Sequence, residues 1–363
     1  MFLLNFCKRF CFSSFLLATI ACKTLVAKEI TTALSLPPLP QASTNNAVAT
    51  LKINDTQFVF SFMGLFKGKT HHDVHNKAWQ LKIEDGVSGQ WQVIPDVPSS
   101  LSLKGRLASL AVGVNQAAYL FGGYTVASDH SEISTPDVYK YDPLNATYSR
   151  LASMPVPVDD AVALVYESRY VYLVSGWHND GNVNLVQIYD TVENTWQQAS
   201  PFLGKPVFGH AGGIVDNIMV ICDGVSVVPH ENKRRSFAAE TACFRGEINI
   251  KNPTKIDWRV IPHPTQQARY RMASAGDAEQ KLVHFVGGST NPYNYNGMGY
   301  NGKPAEPDNA IWSYNIAKGT WSVRSSKHST MDHRGLLNID GGWFTVGGMK
   351  ANQVVTHDAI QHL

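Results

Sequence analysis

Cysteine is scarce in this sequence, and positive and negative charges are nearly balanced. Three of the five cysteines lie within the first 22 residues, so the rest of the chain can form one disulfide at most. Lys and Arg number 31 and Asp and Glu 29 among 363 residues. Proteins that bind nucleic acid through its phosphates need an excess of basic residues, so this balance argues against a nucleic-acid partner.

The sequence also lacks an apolar run long enough to cross a bilayer. The stretch near the N-terminus, Phe10–Ile20, follows Lys8 and Arg9 and is too short for a membrane span. Together with the small residue Ala27, this pattern is typical of a secretory signal over residues 1–27. It predicts a periplasmic or secreted protein with no membrane span.

Two cleavage positions are compatible with this signal. Cys22 after Thr19-Ile20-Ala21 resembles a lipoprotein box, and cleavage before Cys22 would leave the chain with a lipid anchor. The first 27 residues contain three of the basic residues and none of the acidic ones, so residues 28–363 carry a formal charge of −1.

Glycine, by contrast, is abundant and recurs at a regular interval. Six times an apolar run ends in a pair of small residues, and a strand-like segment with an aromatic residue follows. The pairs are Met63-Gly64, Gly122-Gly123, Ser175-Gly176, Asp223-Gly224, Gly287-Gly288 and Gly347-Gly348. Their separations of 59, 53, 48, 64 and 60 residues are typical of a Kelch-type β-propeller. The predicted fold class is therefore all-β, with six blades of four antiparallel strands.

The last repeat lacks a fourth strand, which the N-terminal segment can supply. Only one strand, Gln353–Ile360, follows Gly347-Gly348, whereas residues 28–40 resemble the fourth strand of other repeats. We therefore expect residues 28–363 to form one domain in which residues 28–40 close the ring. The predicted blades are 41–101, 102–157, 158–206, 207–266, 267–329 and 330–363.

Loop lengths single out one face of the propeller as functional. The loops between second and third strands are long, and long loops in a compact domain usually carry function. Loop 289–308 contains Tyr293 and Tyr295 among Asn residues, and these phenol and amide groups suit a hydroxyl-rich ligand. Loop 65–77 holds three His residues and Asp73. We interpret it as polar surface, and we predict no metal and no cofactor.

Titratable residues recur near the start of the first strand of the repeats. Counting back 16 or 13 residues from the small-residue pairs makes five residues equivalent: Arg106, Asp159, His210, Arg271 and Arg334. Each could pair with a neighbour or cap a strand. As a set, however, the five residues contain three Arg and only one carboxylate, which is too few to neutralise the three positive charges. This predicts an anionic ligand held by the bidentate forks of the Arg side chains.

The two remaining cysteines, Cys222 and Cys243, fall in the second and third strands of one repeat. They can face each other across an antiparallel pair, and export would permit a disulfide. Two buried thiols are the alternative, because the sequence does not give the Cα separation.

The chain resembles the bacterial N-acetylneuraminate epimerases, secreted six-bladed Kelch propellers that interconvert the anomers of sialic acid. The resemblance covers essentially all of residues 28–363. It includes Leu36-Pro37-Pro38-Leu39-Pro40 and the segments 105–123 and 334–348. It implies an exported sugar mutarotase or epimerase that acts on an acidic sugar. The chain departs from this family at one position. The proposed catalytic base of those enzymes is a Glu just after the small-residue pair of blade four, and this chain has Val225 there.

A substitute for that base is needed if the chain is an enzyme. Opening a hemiketal ring requires one group that takes the hydroxyl proton and another that protonates the ring oxygen. We predict that His210, Asp159 or Asp223 fill these roles. Two other functions stay open: a propeller that binds carbohydrate without catalysis, which Val225 favours, and a protein-interaction propeller.

Arg271 is the residue that we expect to hold the ligand, because it lies at the head of blade five beneath loop 289–308. Arg269 is two residues away, so its side chain should face the same side and share the ligand. On this interpretation, replacing Arg271 by Ala lowers ligand affinity and leaves thermal stability almost unchanged.

Overall fold

A computed structural model describes residues 34–363. Their regular secondary structure consists of β-strands and two 3-10 turns, His71–Asp73 and Ala351–Gln353. Six antiparallel sheets follow one another along the chain, and their first strands pack beside one another around a central channel. This is the six-bladed all-β propeller predicted from the spacing of the small-residue pairs. None of the helices in the described range is long and apolar enough to cross a membrane.

The blades differ in size but share one antiparallel order. Blade one contains Ser43–Thr44, Ala47–Ile53, Thr56–Phe66, Val74–Glu84, Val87–Ser88 and Gln92–Ile94. Blade two contains Leu110–Val114, Ala117–Phe121, Val138–Asp142 and Thr147–Arg150. Blade three contains Val162–Tyr166, Tyr170–Val174, Val186–Asp190 and Thr195–Gln198. Blade four contains Ala211–Val215, Ile218–Cys222, Cys243–Asn249 and Asn252–Ile261. Blade five contains Ala273–Asp277, Leu282–Val286, Asp308–Asn315 and Thr320–Thr330, and blade six Leu337–Ile339, Gly342–Val346 and Ala359–Gln361.

Four short hairpins extend the loops between second and third strands. They are Tyr124–Val126 with Glu132–Ser134, Trp177–His178 with Gly181–Asn182, Val225–Val228 with Ser236–Ala239, and Met349–Lys350 with Val354–Val355. Each hairpin follows a small-residue pair directly, so the pair marks the point where the chain leaves the blade.

The small-residue pairs share a backbone conformation that explains their composition. In all six pairs the first residue has φ between 55° and 71° and the second between 83° and 125°. The first is the left-handed region, which Met63 and Asp223 tolerate, whereas the second favours glycine. Space is also limiting, because a Cβ on Gly123 would lie 2.0 Å from Ser109 Oγ. The periodic signal in the sequence therefore reports a repeated left-handed turn at the end of each second strand.

A second left-handed residue marks the head of each blade. These residues have φ between 49° and 69°, and they are Asn45, Ala108, Asp160, Gly209, Arg271 and Asp332. They lie side by side around the channel: the Asp160 N–H donates to the Ala108 carbonyl (3.1 Å) and the Gly209 N–H to the Asp160 carbonyl (2.8 Å). In the same way the Arg271 N–H donates to the Gly209 carbonyl (2.8 Å).

This series corrects the equivalence obtained by counting along the sequence. Of the five residues taken as equivalent, only Arg271 is at the left-handed position, and Arg106, Asp159, His210 and Arg334 are one or two residues away from it. The count was wrong because it assumed turns between first and second strands that differ by three residues, whereas this turn is residues 216–217 in blade four and residues 278–281 in blade five, a difference of two.

The predicted closing segment is described only from Leu34 onward, and residues 28–33 lie outside the described range. Residues 34–40 carry no strand, so closure by a fourth paired strand stays a prediction. The segment nevertheless packs against the first and the last blade. Leu36 and Leu39 join an apolar cluster with side chains of blades one and six, and the Leu39 N–H donates to the His357 carbonyl (2.7 Å).

Candidate functional site

A cavity of about 1020 Å³ opens among the long loops. Three of the hairpins that follow the small-residue pairs, in blades two, three and four, contribute to its wall, and residues 291–301 of blade five complete it. The floor includes Asp160 and Arg271 from the heads of blades three and five. The cavity therefore lies on the face that the loop lengths single out.

One wall of the cavity is aromatic. The Trp177 and Phe208 ring centroids are 5.3 Å apart, and those of Phe208 and Phe237 are 5.8 Å apart. Phe237 stacks on Tyr300 at 4.2 Å. All four rings line the cavity. Such a surface offers apolar faces against which the C–H face of a sugar ring can pack.

Arg235 brings a positive charge to this wall. It sits on the blade-four hairpin, its guanidinium lies 4.8 Å from the centroid of the Trp177 ring, and Nη1 donates to the Asp180 carbonyl. These contacts hold the side chain beside the aromatic surface without neutralising it, because a carbonyl carries no charge. Within the described range none of the ion pairs includes Arg235, so its guanidinium is available to bind an anion.

The floor of the cavity is a buried ion-pair network. Arg271 donates to Asp160 through Nε (2.9 Å) and Nη2 (2.6 Å), and to Asp332 through Nη1 (3.1 Å). Arg334 lies 3.2 Å from Asp160. Burial opposes ionisation of Asp160, but the charges of Arg271 and Arg334 lower its pKa below the ordinary value.

This network corrects the premise that the Arg residues lack carboxylates. Asp160 and Asp332 neutralise Arg271 and Arg334, and Asn45 accepts a further hydrogen bond from Arg334 (2.9 Å). Whether Arg271 also contacts a ligand stays a prediction, since it does line the cavity. The carboxylates of Asp160 and Asp332, however, already balance the positive charge of Arg271.

Asp159 is the predicted catalytic residue that the structure places in the cavity. Its side chain is almost entirely buried and accepts a hydrogen bond from Ser134 Oγ (2.6 Å). Burial raises the pKa of Asp159 well above its ordinary value, and the neighbouring carboxylates of Asp160 and Glu132 raise it further. The contact with Ser134 opposes this shift but does not reverse it. Asp159 is therefore a buried carboxyl group in the cavity lining whose surroundings favour its neutral form.

Glu132 is a second carboxyl group in the cavity, on the hairpin of blade two. The side chain opens to the cavity, and partial burial raises its pKa, while the positive charges of Arg271 and Arg235 act in the opposite direction.

The other two predicted catalytic residues lie outside this cavity. His210 lines a separate, inner space of about 30 Å³, where Nε2 donates to the Val174 carbonyl (2.9 Å) and burial lowers the pKa to about 4. Asp223 accepts hydrogen bonds from His263 Nε2 (2.8 Å) and from the Arg269 N–H (2.8 Å). Both side chains are buried: His210 directly follows the left-handed blade head Gly209, whereas Asp223 is itself the left-handed first residue of the small-residue pair of blade four.

Arg106 and Arg269 also lie away from the cavity lining. Arg106 donates to the carbonyls of Gly122 (3.2 Å) and Pro98 (2.9 Å), and its side chain is 1% exposed. Arg269 donates to Asp308 (3.0 Å), with its guanidinium 4.5 Å from the centroid of the Trp312 ring. Arg106 thus contacts carbonyls at the ends of blades one and two, whereas both side-chain partners of Arg269 belong to blade five. Pairing with protein neighbours was the alternative considered for each Arg of the set.

The two predicted tyrosines have different environments. Tyr295 lines the cavity. Tyr293 is fully buried beneath it, with its ring centroid 5.3 Å from the Arg271 guanidinium. Tyr293 therefore supports Arg271 from below, and a direct contact with a ligand would require it to move.

Cys222 and Cys243 form a disulfide in the structure. They are directly opposite each other in the ladder of blade four, and both are fully buried. Among the described residues one group of potential metal ligands converges, Asp223, Cys243 and His263. The Cys243 sulfur is already bonded to Cys222, so this group does not offer a thiolate to a metal.

Counting along the sequence missed several residues of the site: Glu132, Asp160, Trp177, Arg235 and Asp332. For two of them a signal was present. The left-handed region favours Asn, Asp and Gly, and these types occupy four of the six blade heads, including Asp160 and Asp332. For Arg235 and Trp177 no comparable local signal exists, because they meet only when two hairpins fold together.

Comparison with known proteins supports the fold and the sequence resemblance. No family model matches the chain. The solved structure of YjhT superposes with a TM-score of 0.67 over 90% of this chain and 96% of that one, at 15% identity. The shared fold is a six-bladed propeller. At this identity the likeness concerns the fold alone.

Two groups of relatives share parts of the sequence. Kelch-like protein 15 from Danio rerio is 30% identical over 183 residues, which are 49% of this chain and 28% of the relative. The same protein from Gallus gallus is 33% identical over 166 residues, 45% of this chain and 31% of the relative. The chain thus spans less than a third of the length of these proteins.

The second group matches over a longer stretch at lower identity. The N-acetylneuraminate epimerase from Salmonella arizonae is 21% identical over 309 residues, 72% of this chain and 75% of the relative. The protein of that name from Salmonella typhi is 20% identical over 307 residues. The resemblance to Kelch propellers and to these epimerases, predicted from the sequence, is therefore confirmed.

Proposed function

We propose that this protein binds an acidic sugar of the N-acetylneuraminate class in the loop-face cavity and interconverts its anomers. The observation that carries the proposal is a carboxyl group with a raised pKa, Asp159, in a cavity that also offers an aromatic wall and Arg235. A mutarotase needs a proton donor near neutral pH, and an acidic sugar needs a cation and an apolar surface.

The size and polarity of the cavity suit such a ligand. Its volume of about 1020 Å³ is at the upper end of the range for small-molecule sites. Asn179, Asn291, Asn294 and Asn301 line it together with the aromatic side chains, and their amides can bind sugar hydroxyls.

The relatives support the reaction class. The match to N-acetylneuraminate epimerases extends over 72% of this chain. We also propose that the protein is exported, on the basis of the signal-like residues 1–27, which lie outside the described range.

The direct test is anomer exchange. Addition of micromolar protein should accelerate the interconversion of the α and β anomers of N-acetylneuraminate, followed by NMR. Calorimetry on the same sample measures binding. If the protein does not accelerate anomer exchange of this or another acidic sugar, the proposal is wrong.

A second candidate is a binding module without catalysis. It is favoured by Val225, which is fully buried in the blade-four hairpin and has no ionisable group. Saturable binding of the sugar without faster exchange would select it.

Arg235 provides a specific prediction about recognition. We expect Arg235→Ala to weaken binding of N-acetylneuraminate by about 10- to 150-fold, the equivalent of one hydrogen bond to a charged group. Binding of the neutral methyl ester should change little, because Arg235 would contact the carboxylate. Lys233→Ala is the matched control, since Lys233 lies in the same loop but does not line the cavity. Equal losses for the acid and the ester would show that Arg235 acts on the shape of the wall instead.

A further inference from the structure

The contacts of Ser134 connect the hairpin of blade two to blade three. The Ser134 N–H donates to Asn179 Oδ1 (3.1 Å), and Ser134 Oγ accepts from the Asn179 N–H (3.1 Å). Since Oγ accepts there, its own proton points to Asp159 Oδ2 (2.6 Å). Oδ2 is therefore committed as an acceptor, and the proton of a neutral Asp159 belongs on Oδ1.

The same hairpin carries the second carboxyl group. Glu132 and Ser134 are two residues apart in one strand, opposite Val126 and Tyr124, so their side chains project from the same side. Ser134 contacts Asp159, and Glu132 therefore lies on the Asp159 side of the hairpin. Both carboxyl groups line the cavity.

The two carboxyl groups have different surroundings. Asp159 is 2% exposed and has Asp160 and Glu132 as negative neighbours, whereas Glu132 opens to the cavity near Arg271 and Arg235. The pKa of Asp159 is raised well above its ordinary value, and the pKa of Glu132 is raised less. When surroundings separate two pKa values, one group is suited to be the acid and the other the base.

We propose that Glu132 and Asp159 are the catalytic base and acid of the anomer exchange, an assignment that rests on the proposed function. The Glu132 carboxylate takes the proton of the anomeric hydroxyl while Asp159 gives its proton to the ring oxygen. The bond between the anomeric carbon and the ring oxygen breaks, and the anomeric carbon becomes a carbonyl. After rotation of the carbonyl, ring closure returns both protons, so no further reactant is needed.

Other ionisable groups near the centre of the ring are less suited to these roles. Asp160 is held ionised by Arg271 and Arg334 and accepts hydrogen bonds from both Arg271 and Tyr270. His210 faces the separate inner space. Among the predicted catalytic residues, Asp159 alone lines the cavity, and Glu132 takes the role for which the sequence offered His210 or Asp223.

The test compares Glu132→Gln and Asp159→Asn with the unmodified protein. Each substitution should slow anomer exchange by about 10²- to 10⁴-fold, the range for general acid–base catalysis, with the dissociation constant for N-acetylneuraminate changed only a few-fold. The double variant should be hardly slower than the single variants, because both groups act in one step. Asp129→Asn is the control, since Asp129 is exposed in the turn of the same hairpin and does not line the cavity.

The outcomes separate this proposal from the proposed function. If the unmodified protein accelerates exchange and Glu132→Gln does so equally well, the assignment is wrong and the function stands. If the unmodified protein does not accelerate exchange, both are wrong. Thermal melting shows whether Asp159→Asn still folds, and Glu132→Gln decides by itself if it does not, because Glu132 is exposed to the cavity.

Discussion

Replacing Arg271 by Ala is expected to lower the free energy of unfolding by about 3–5 kcal/mol, the cost of leaving a buried charge without its partner. The substitution leaves Asp160 and Asp332 without the guanidinium that both contact, at distances of 2.6 and 3.1 Å. Both carboxylates are buried, and Arg334 would be the cation that remains beside them, at 3.2 Å from Asp160 and 3.8 Å from Asp332. Chemical denaturation of the two proteins under identical conditions measures the difference.

A matched control removes a cation from an exposed ion pair. Lys281 pairs with Asp216 at 2.9 Å, with side chains 46% and 57% exposed, so Lys281→Ala should cost less than about 1 kcal/mol. This prediction reverses the expectation from sequence, in which Arg271 serves only a ligand. An Arg271→Ala variant that unfolds like the unmodified protein, but no longer binds the sugar, would restore that expectation.

Removal of the disulfide is expected to have an effect of similar size. Cys222 and Cys243 are 21 residues apart in sequence, and a closed loop of this length stabilises a fold by about 3 kcal/mol in the chain-entropy model. We expect the double variant Cys222→Ala with Cys243→Ala to unfold at a correspondingly lower denaturant concentration. The two side chains belong to the apolar cluster between blades four and five, so the loss also includes packing.

Reduction separates the covalent part from the packing part. A thiol reductant should lower the unfolding midpoint of the unmodified protein and leave that of the double Ala variant unchanged. If the midpoint of the unmodified protein does not depend on the reductant, the two residues are buried thiols, the alternative that the sequence left open.

The fold was predictable because its signals are local. Each small-residue pair lies at a left-handed turn that strongly favours glycine at the second position, so the pairs could be counted without knowledge of any contact. The face that carries the cavity followed from loop lengths in the same way. The hairpin of Trp177–His178 with Gly181–Asn182 was missed because its connection, residues 175–185, is shorter than the corresponding connections of blades two, four and five.

The site was predictable only in part, because its members were aligned by counting. Asp159, Arg271 and Tyr295 line the cavity, whereas the other predicted residues do not: Arg106, His210, Asp223, Arg269, Tyr293 and Arg334. A displacement of one residue in an extended chain turns a side chain to the opposite face. Small differences in turn length between blades were therefore enough to misplace most of the set.

The sequence by itself determined six repeats, their strand order and the face with long loops, because each depends on residues close together in the chain. Tertiary structure alone decided which charges meet. Arg271 pairs with Asp160, 111 residues earlier, and with Asp332, 61 residues later. Ser134 of blade two donates a hydrogen bond to Asp159 of blade three. Ring closure brings the blade heads to one channel, and the burial of charges there requires partners that no local pattern specifies.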